Sequence, residues 1–403
     1  MSGWYRSRIA VSAPRHSAAY VAPVATDRRQ ARSLERIDRV CAVESDAKTL
    51  RIQVLAEIRQ VVGFDAYVWL LTDPTTAVGC DPLADVPCLS ELPALVKFKY
   101  LTEINRWTTL SAGGPSARSL GESTAGDLSL SPVWREVLCR YGVSDVASVV
   151  FDDRFGCWAF LDLWRDRTAG PFSAEDVAFL TDLAPRITQA LRRRQAATFG
   201  APAVSQRRDL GPVVMLLDND LNVVDQTAAT QEWLEVLVPR VSDRPVIPSS
   251  VYNVAGQLLA KEDGVDAHEA SSRVHLAEGF WVTLRAARLG GADATGQAAI
   301  AVTLEETSPL DRLDVFIRSF ALTPRERQLM TLLATGSDTR DLARRLQLSE
   351  LTIQDHLKSV FAKTGARNRN TLLSRALGAR PDGPAASDHE RLGYAAALAL
   401  STG

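Results

Sequence analysis

Leu322–Gly378 reads LTPRERQLMTLLATGSDTRDLARRLQLSELTIQDHLKSVFAKTGARNRNTLLSRALG, and its punctuation predicts a run of short, tightly connected helices. Thr323 is followed by Pro324 at a first helical position and by Glu326 three residues on. That is the capping-box pattern, in which two otherwise unpaired backbone N–H groups are satisfied reciprocally. Leu329, Leu332 and Leu333 supply one apolar face, and Gly336 ends the helix. Thr339 starts a second helix carrying Leu342, Ala343 and Leu346, Gln347-Leu348 make a turn, and Ser349 caps a third. Asn370 is expected to cap a fourth helix, Thr371 to Leu377.

The third helix divides into two faces. Ile353, Leu357, Val360 and Phe361 fall at i, i+4, i+7 and i+8, one buried stripe. Gln354, Asp355 and Lys358 fall on the opposite side, where a recognition helix presents polar groups to base edges in a major groove. Gln pairs with adenine, Asp accepts from cytosine N4, and Lys reaches guanine O6 and N7. Lys363, Arg367 and Arg369, at the helix end and the following turn, are assigned to backbone phosphates. Thr339, Ser349, Thr352 and His356, at helix starts or beside the reading face, are assigned to the same positioning role. His356 has no second ligand at metal spacing, so a hydrogen bond is the expectation for it.

The whole segment resembles the LuxR-type helix-turn-helix family. The match runs through LTPRE (Leu322–Glu326), A-x-G (Ala334–Gly336), LARRL-x-LS (Leu342–Ser349) and T-I-x-x-H (Thr352–His356). The resemblance implies base reading through Gln354, Asp355 and Lys358, with the acidic Asp355 departing from the commoner basic or neutral residue. Charge distribution agrees with a polyanion partner. Leu310 to Arg380 holds 13 Lys/Arg against 7 Asp/Glu, whereas the whole chain carries a net −2, so the rest is acidic.

Outward from this module, 403 residues imply two or three domains. A helical pattern over Leu34–Val62, with Leu50, Val54, Ile58 and Val61 on one stripe, is expected to stop at a left-handed Gly63. FDAYVWLLT (Phe64–Thr72) reads as a strand, and SDVASVVF (Ser144–Phe151) with CWAFLDLW (Cys157–Trp164) as a hairpin. Ser173 caps a helix over Ala174–Gln195, in which Val177, Leu180, Ala184, Ile187 and Leu191 repeat at 3, 4, 3 and 4. That heptad is read as a seam for a homodimer, with packing on the domain's own sheet as the alternative. After a linker at 196–208, VVMLLD and NVVD suggest a second hairpin, followed by a helix from Thr227 to Leu237 and strands at Gly279–Leu289 and Gln297–Glu306.

The first region resembles a GAF domain, carried by DDRFGCWAFLDLWR and PFSAEDVAFLTDLA, and the second resembles a PAS domain, carried by VVMLLDNDLNVVDQTAATQEWL. The expected fold class is therefore α+β multidomain. It comprises a disordered tail (1–32), a GAF-like sensor (33–195), a PAS-like unit (205–306), an all-α four-helix DNA-binding domain (312–379) and a flexible tail (380–403). These resemblances imply a small-molecule effector, and Trp69, Trp107, Trp158 and Trp164 are candidates to line its pocket.

The five cysteines form no CxxC pair or zinc pattern and fit a reduced cytoplasm, with Cys157 read as a buried small hydrophobe. No signal peptide or transmembrane run is expected. Neither GxSxG, a P-loop, HExxH nor a strand-borne GxGxxG is present, so neither an enzyme, a metal site nor a resident cofactor is expected. His268 and His275 read as surface or strand histidines. The expectation is a cytoplasmic one-component regulator that binds double-stranded DNA, RNA polymerase and an effector. A sigma-factor-like polymerase subunit and a ligand-processing enzyme stand as alternatives.

Overall fold

In a computed structural model, the structure describes residues 22–111, 113–200, 213–230, 248–276, 280–292 and 298–378. The first unit begins with α1 (Ala22–Ala42) and α2 (Ala47–Val61). The predicted single helix over 34–62 is thus two, because Asp46 caps a new start, accepting from Thr49 N at 2.8 Å. Part of the predicted tail, from Ala22, belongs to α1, and the rest lies outside the described residues. Gly63 is not left-handed; Val62 leaves α2 in an extended conformation.

A sheet of five antiparallel strands follows: β1 (Ala66–Thr72), β2 (Gly79–Asp85), β3 (Ala117–Ser119), β4 (Val143–Asp153) and β5 (Gly156–Asp166), ordered β2-β1-β5-β4-β3. Between β2 and β4 come four short helices, α3 (Leu92–Leu101), α4 (Trp107–Ser111), α5 (Leu120–Ser123) and α6 (Pro132–Glu136). The closing helix α7 (Ala174–Ala197) starts at the predicted cap Ser173, which forms a capping box with Asp176, and runs on through Pro185.

The second unit holds β6 (Val213–Leu217), β7 (Val223–Gln226), α8 (Ser249–Glu262), β8 (Ser271–His275), β9 (Trp281–Ala292) and β10 (Ala298–Glu306). Its sheet is ordered β7-β6-β10-β9-β8, the same path as the first once strands are counted from each unit's own start. Beyond Thr230 the predicted helix Thr227–Leu237 lies outside the described residues. α8 and β8 had no counterpart in the sequence reading. The helical module comprises α9 (Pro309–Ser319), α10 (Pro324–Ala334), α11 (Thr339–Leu346), α12 (Glu350–Thr364) and α13 (Arg369–Leu377).

The heptad on α7 has a different use from the one predicted. Leu180, Ala184, Ile187 and Leu191 are buried together with Trp69, Phe151, Ile37 and Leu50, and Val177 packs at their edge. They hold α7 to its own sheet and to α1 and α2. A 3-4 repeat reports a buried stripe, and here the partner is the same protomer rather than a second copy.

Two reciprocal arginines join the first two units. Arg106, fully buried, reaches from the first unit to Asp266 at 2.8 Å and to Gln257 Oε1 at 2.9 Å. Arg273 reaches back from β8 to Asp73, with Nε at 2.6 Å from one carboxylate oxygen and a terminal nitrogen at 2.7 Å from the other. Asp73 is 1% exposed. Burial alone would raise its carboxyl, but the Arg273 guanidinium and three backbone N–H groups hold it below the ordinary range.

Between the two arginines, α8 lies on α3 at close range. A Cβ at Gly256 would come within 3.1 Å of the Tyr100 ring, and Asn253 Nδ2 donates to the Gly79 carbonyl at 3.0 Å. The core is therefore continuous between the units, with Tyr100, Trp107 and Phe160 packed in the same cluster as Met215, Val254 and Leu284.

Because Ile187 is buried in the first unit's core, Ile187→Glu is expected to lower stability by roughly 3–5 kcal/mol, as an unpaired buried charge does. Urea unfolding followed by circular dichroism checks this. A variant that unfolds like the parent but sediments as a smaller species would return α7 to the role of a seam.

Candidate nucleic-acid interface

The helical module is built from caps. Thr323 and Glu326 form the predicted capping box at α10, and Gly336 is left-handed (φ +85°) after its end. Gln347 takes the left-handed turn between α11 and α12 (φ +53°). Ser349 Oγ receives Thr352 N at 3.1 Å and lies 2.8 Å from Thr352 Oγ1, so both predicted phosphate hydroxyls are engaged in starting α12. α11 starts at Thr339, as expected, with Asp338 as its cap, whereas one cap differs from expectation: Asn368, not Asn370, caps α13 by accepting from Thr371 N at 2.8 Å.

On α12, Ile353 and Val360 are buried, while Gln354, Asp355 and Lys358 are exposed, as the periodicity predicts. Among the described residues, neither front unit covers this face. Lys358 Nζ lies 3.1 Å from Asp355 Oδ1, an open surface pair that bases or phosphates would compete for. Leu351 stands on the same side, three residues before Gln354, and is 67% exposed. An exposed leucine here is suited to the thymine methyl group, the apolar mark of the major groove. The period of the stripe, at i, i+3, i+4 and i+7 through Leu351, Gln354, Asp355 and Lys358, was the signal that the sequence reading passed over.

The predicted phosphate contacts separate into two groups. Arg367 is exposed. Lys363 is not free: its ammonium lies 2.6 Å from the Glu326 carboxylate, which is nearly buried and also accepts from Ser359 Oγ at 2.7 Å and Thr323 N at 2.7 Å. Arg369 donates to the Ser337 carbonyl, fastening α13 to the loop before α11. Lys363 and Arg369 are therefore struts of the bundle, because a buried carboxylate and a loop carbonyl reach them first. His356 is half-buried beside the face. Arg340 and Arg344 on α11 are more open, with 87% and 74% of their side chains exposed, and Arg345 is exposed beside them. The Arg-Arg pair of LARRL was the available sign of this basic flank.

The bundle is docked, not tethered. Only Thr307 and Ser308 separate β10 from α9, and Thr307 is buried, its N donating to the Trp281 carbonyl at 2.9 Å. Phe199, at the end of α7, stacks on Trp281 and meets Phe316 edge-on. Arg273, already paired with Asp73, donates to the Asp311 carbonyl at 2.8 Å and reaches Asp314 at 3.2 Å. Asp314 also accepts from Thr75, Arg318 and Arg327, and Arg318 donates to the Phe155 carbonyl at the β4–β5 turn.

The four predicted pocket tryptophans lie in four different places. Trp69 stacks on Phe151 in the core behind the sheet. Trp107 stacks on Phe160 and donates to the Ala77 carbonyl at 2.8 Å. Trp158 borders a space at the junction of all three units, together with His275 and Trp281. Trp164 lines a separate cavity of about 270 Å³ on the other face of the first sheet, with Leu70, Leu95, Val133, Phe160 and the ion-paired Lys99 and Asp162. Buried in packed stacks, Trp69 and Trp107 line neither of the two spaces that Trp158 and Trp164 border. His268 is held by Asp266 at 2.6 Å, and Cys157 is buried, its thiol pushed up to about 12 by desolvation.

Residues 321–376 match the family described as bacterial regulatory proteins, luxR family. Over 60 residues the chain is 42% identical to a probable HTH-type transcriptional regulator, GfsR, of Streptomyces halstedii. That covers 15% of this chain and 25% of the relative. Over 54 residues it is 39% identical to the monoamine regulon transcriptional regulator of Klebsiella aerogenes, covering 13% and 24%. The matched segment thus spans about a quarter of these relatives. A bacteriophytochrome structure from R. palustris aligns over 80% of this chain and 77% of its own at 13% identity, with a TM-score of 0.31, too low to bear on the fold. Residues 321–376 are a LuxR-type helix-turn-helix DNA-binding domain.

Glu326 gives this domain a measurable acid limit. Burial raises its carboxyl, but Lys363, Ser359 and Thr323 N outweigh that and hold it at about 2, against an ordinary 4.5. The depressed value stabilises the fold by on the order of 3 kcal/mol above pH 4.5, and this is lost as pH falls towards 2. Urea unfolding of the parent between those pH values should therefore show a steeper loss than Glu326→Gln. Parallel curves would mean that the carboxylate is not held as described.

Proposed function

We propose that the chain is a one-component transcription regulator. In this reading the two front units sense a small molecule and the LuxR-type domain binds promoter DNA. The observation that carries it is the open reading face of α12 on a module otherwise docked against both front units. Leu351, Gln354, Asp355 and Lys358 remain accessible while α9 and the base of the bundle are locked to the body. The repeated sheet order and the cavity in the first unit support the GAF-like and PAS-like reading of the front. We read the chain as a binder and not a catalyst.

A helix in one major groove contacts few base pairs, so two copies on half-sites roughly 34–36 Å apart are the natural operator geometry. RNA polymerase is then the partner on which bound regulator acts. With the α7 stripe buried, the surface joining two copies lies elsewhere.

The test is selection of duplexes from a random pool by the full chain, with fluorescence anisotropy on the selected sequence. A repeated half-site with nanomolar binding is expected. Lys358→Ala should cost about 1–3 kcal/mol at one base position and relax selectivity there. Leu351→Ala should weaken binding only to half-sites bearing thymine at its contact. Lys363→Ala should lower stability and leave the salt slope unchanged, whereas Arg367→Ala should flatten that slope by about one. Enrichment of no sequence at all would overturn the reading.

A further inference from the structure

The cavity of the first unit has a definite chemical character. Its walls are aliphatic and aromatic, but Trp164 Nε1, Asn105 Nδ2, Thr102 Oγ1, Ser131 Oγ and Ser249 Oγ are buried around it without a hydrogen-bond partner. Trp164, Thr102 and Ser131 are each at most 2% exposed. Buried polar atoms are nearly always paired, so five orphans around one space point to a ligand that pairs with them. An indole N–H only donates, and so does the Asn105 amide nitrogen, which calls for acceptor oxygens on that ligand.

The charges in the cavity are already matched. Lys99 Nζ lies 2.7 Å from Asp162, whose other oxygen accepts from Ser148 Oγ at 2.7 Å, and both side chains are largely buried. A ligand carboxylate would have to displace Asp162 from Lys99, and a ligand cation would have to displace Lys99. The site therefore favours a molecule without charge. A volume of about 270 Å³ sets it near the small end of ligand pockets.

The second unit forms part of the wall. Ser249 and Asn253, from the first two turns of α8, face the same space, next to the place where α8 packs on α3. We infer that the effector is a small, uncharged, hydrocarbon-rich molecule bearing carbonyl or hydroxyl oxygens, bound between the first sheet and α8. This rests on the sensor reading above and gives it a ligand class. A molecule held there touches both units whose contacts set the pose of α9.

The test uses the full chain at pH 8 with the neutral fluorophore N-phenyl-1-naphthylamine as reporter and two competitors of equal length, 1-decanol and decanoate. Decanol is expected to displace the reporter at a concentration at least tenfold lower than decanoate. Asp162→Asn leaves Lys99 unmatched and should reverse that preference. The double variant Lys99→Met with Asp162→Asn should restore it, which separates charge from any loss of folding. Val133→Trp, filling the cavity, should abolish displacement by both.

Equal displacement by the two competitors, preference for decanoate in the parent, or no effect of Asp162→Asn would overturn the ligand class. Those outcomes leave the DNA-binding reading to the duplex selection, which does not depend on them.

Discussion

The arrangement of the three units depends on one buried guanidinium. Arg273 leaves β8 of the second unit, meets Asp73 of the first, and continues to the Asp311 carbonyl and Asp314 of the helical module. Taking a guanidinium and a carboxylate out of water is costly, and only full hydrogen-bond satisfaction makes it tolerable. Asp73 meets that condition through Arg273 and the backbone nitrogens of Thr75, Thr76 and Arg273. Removing Arg273 would strand the Asp73 carboxylate, which is 1% exposed, whereas removing Asp73 would leave Arg273 its contacts to Asp314, Thr75 and the Asp311 carbonyl. Arg106 repeats the device in the opposite direction, into Asp266 and Gln257, and the two pins leave α8 and α3 little freedom to slide.

What could be seen in the sequence was what is local. The cap at Ser173, the capping box at Thr323 and the helix end at Gly336 involve residues within a few positions of each other, and each stands where its spacing placed it. The open face of α12 was legible for the same reason, since one helix defines it. The ion pair of Lys363 was hidden because its partner, Glu326, lies 37 residues away, and nothing in the local pattern announces it. The heptad on α7 showed that a stripe is buried but could not say against what.

The middle of the chain was hidden for another reason. α8 is buried on nearly all sides, with Asn253 and Gln257 inside the inter-unit contact, so it lacks the alternation of apolar and polar faces by which surface helices are recognised. The cavity was likewise invisible, since aromatic residues on a strand look the same whether they stack, as Trp69 does on Phe151, or border a space, as Trp164 does. A pocket is a property of what several distant segments leave unfilled.

The two-residue joint between β10 and α9 has a bearing on the form any response takes. A long tether would let the DNA-reading helix drift through a continuum of poses, whereas here Thr307 is paired within the sheet and Asp314 is shared among Thr75, Arg273, Arg318 and Arg327. Such a cluster does not stretch by degrees, because its members hold or release together and packed interiors resist intermediate geometries. On the proposed sensor reading, a ligand that biased this junction would change the proportion of molecules in which it is held, not the angle within any one molecule. A half-saturating ligand would then give a mixed population, and graded output would be an average over many molecules.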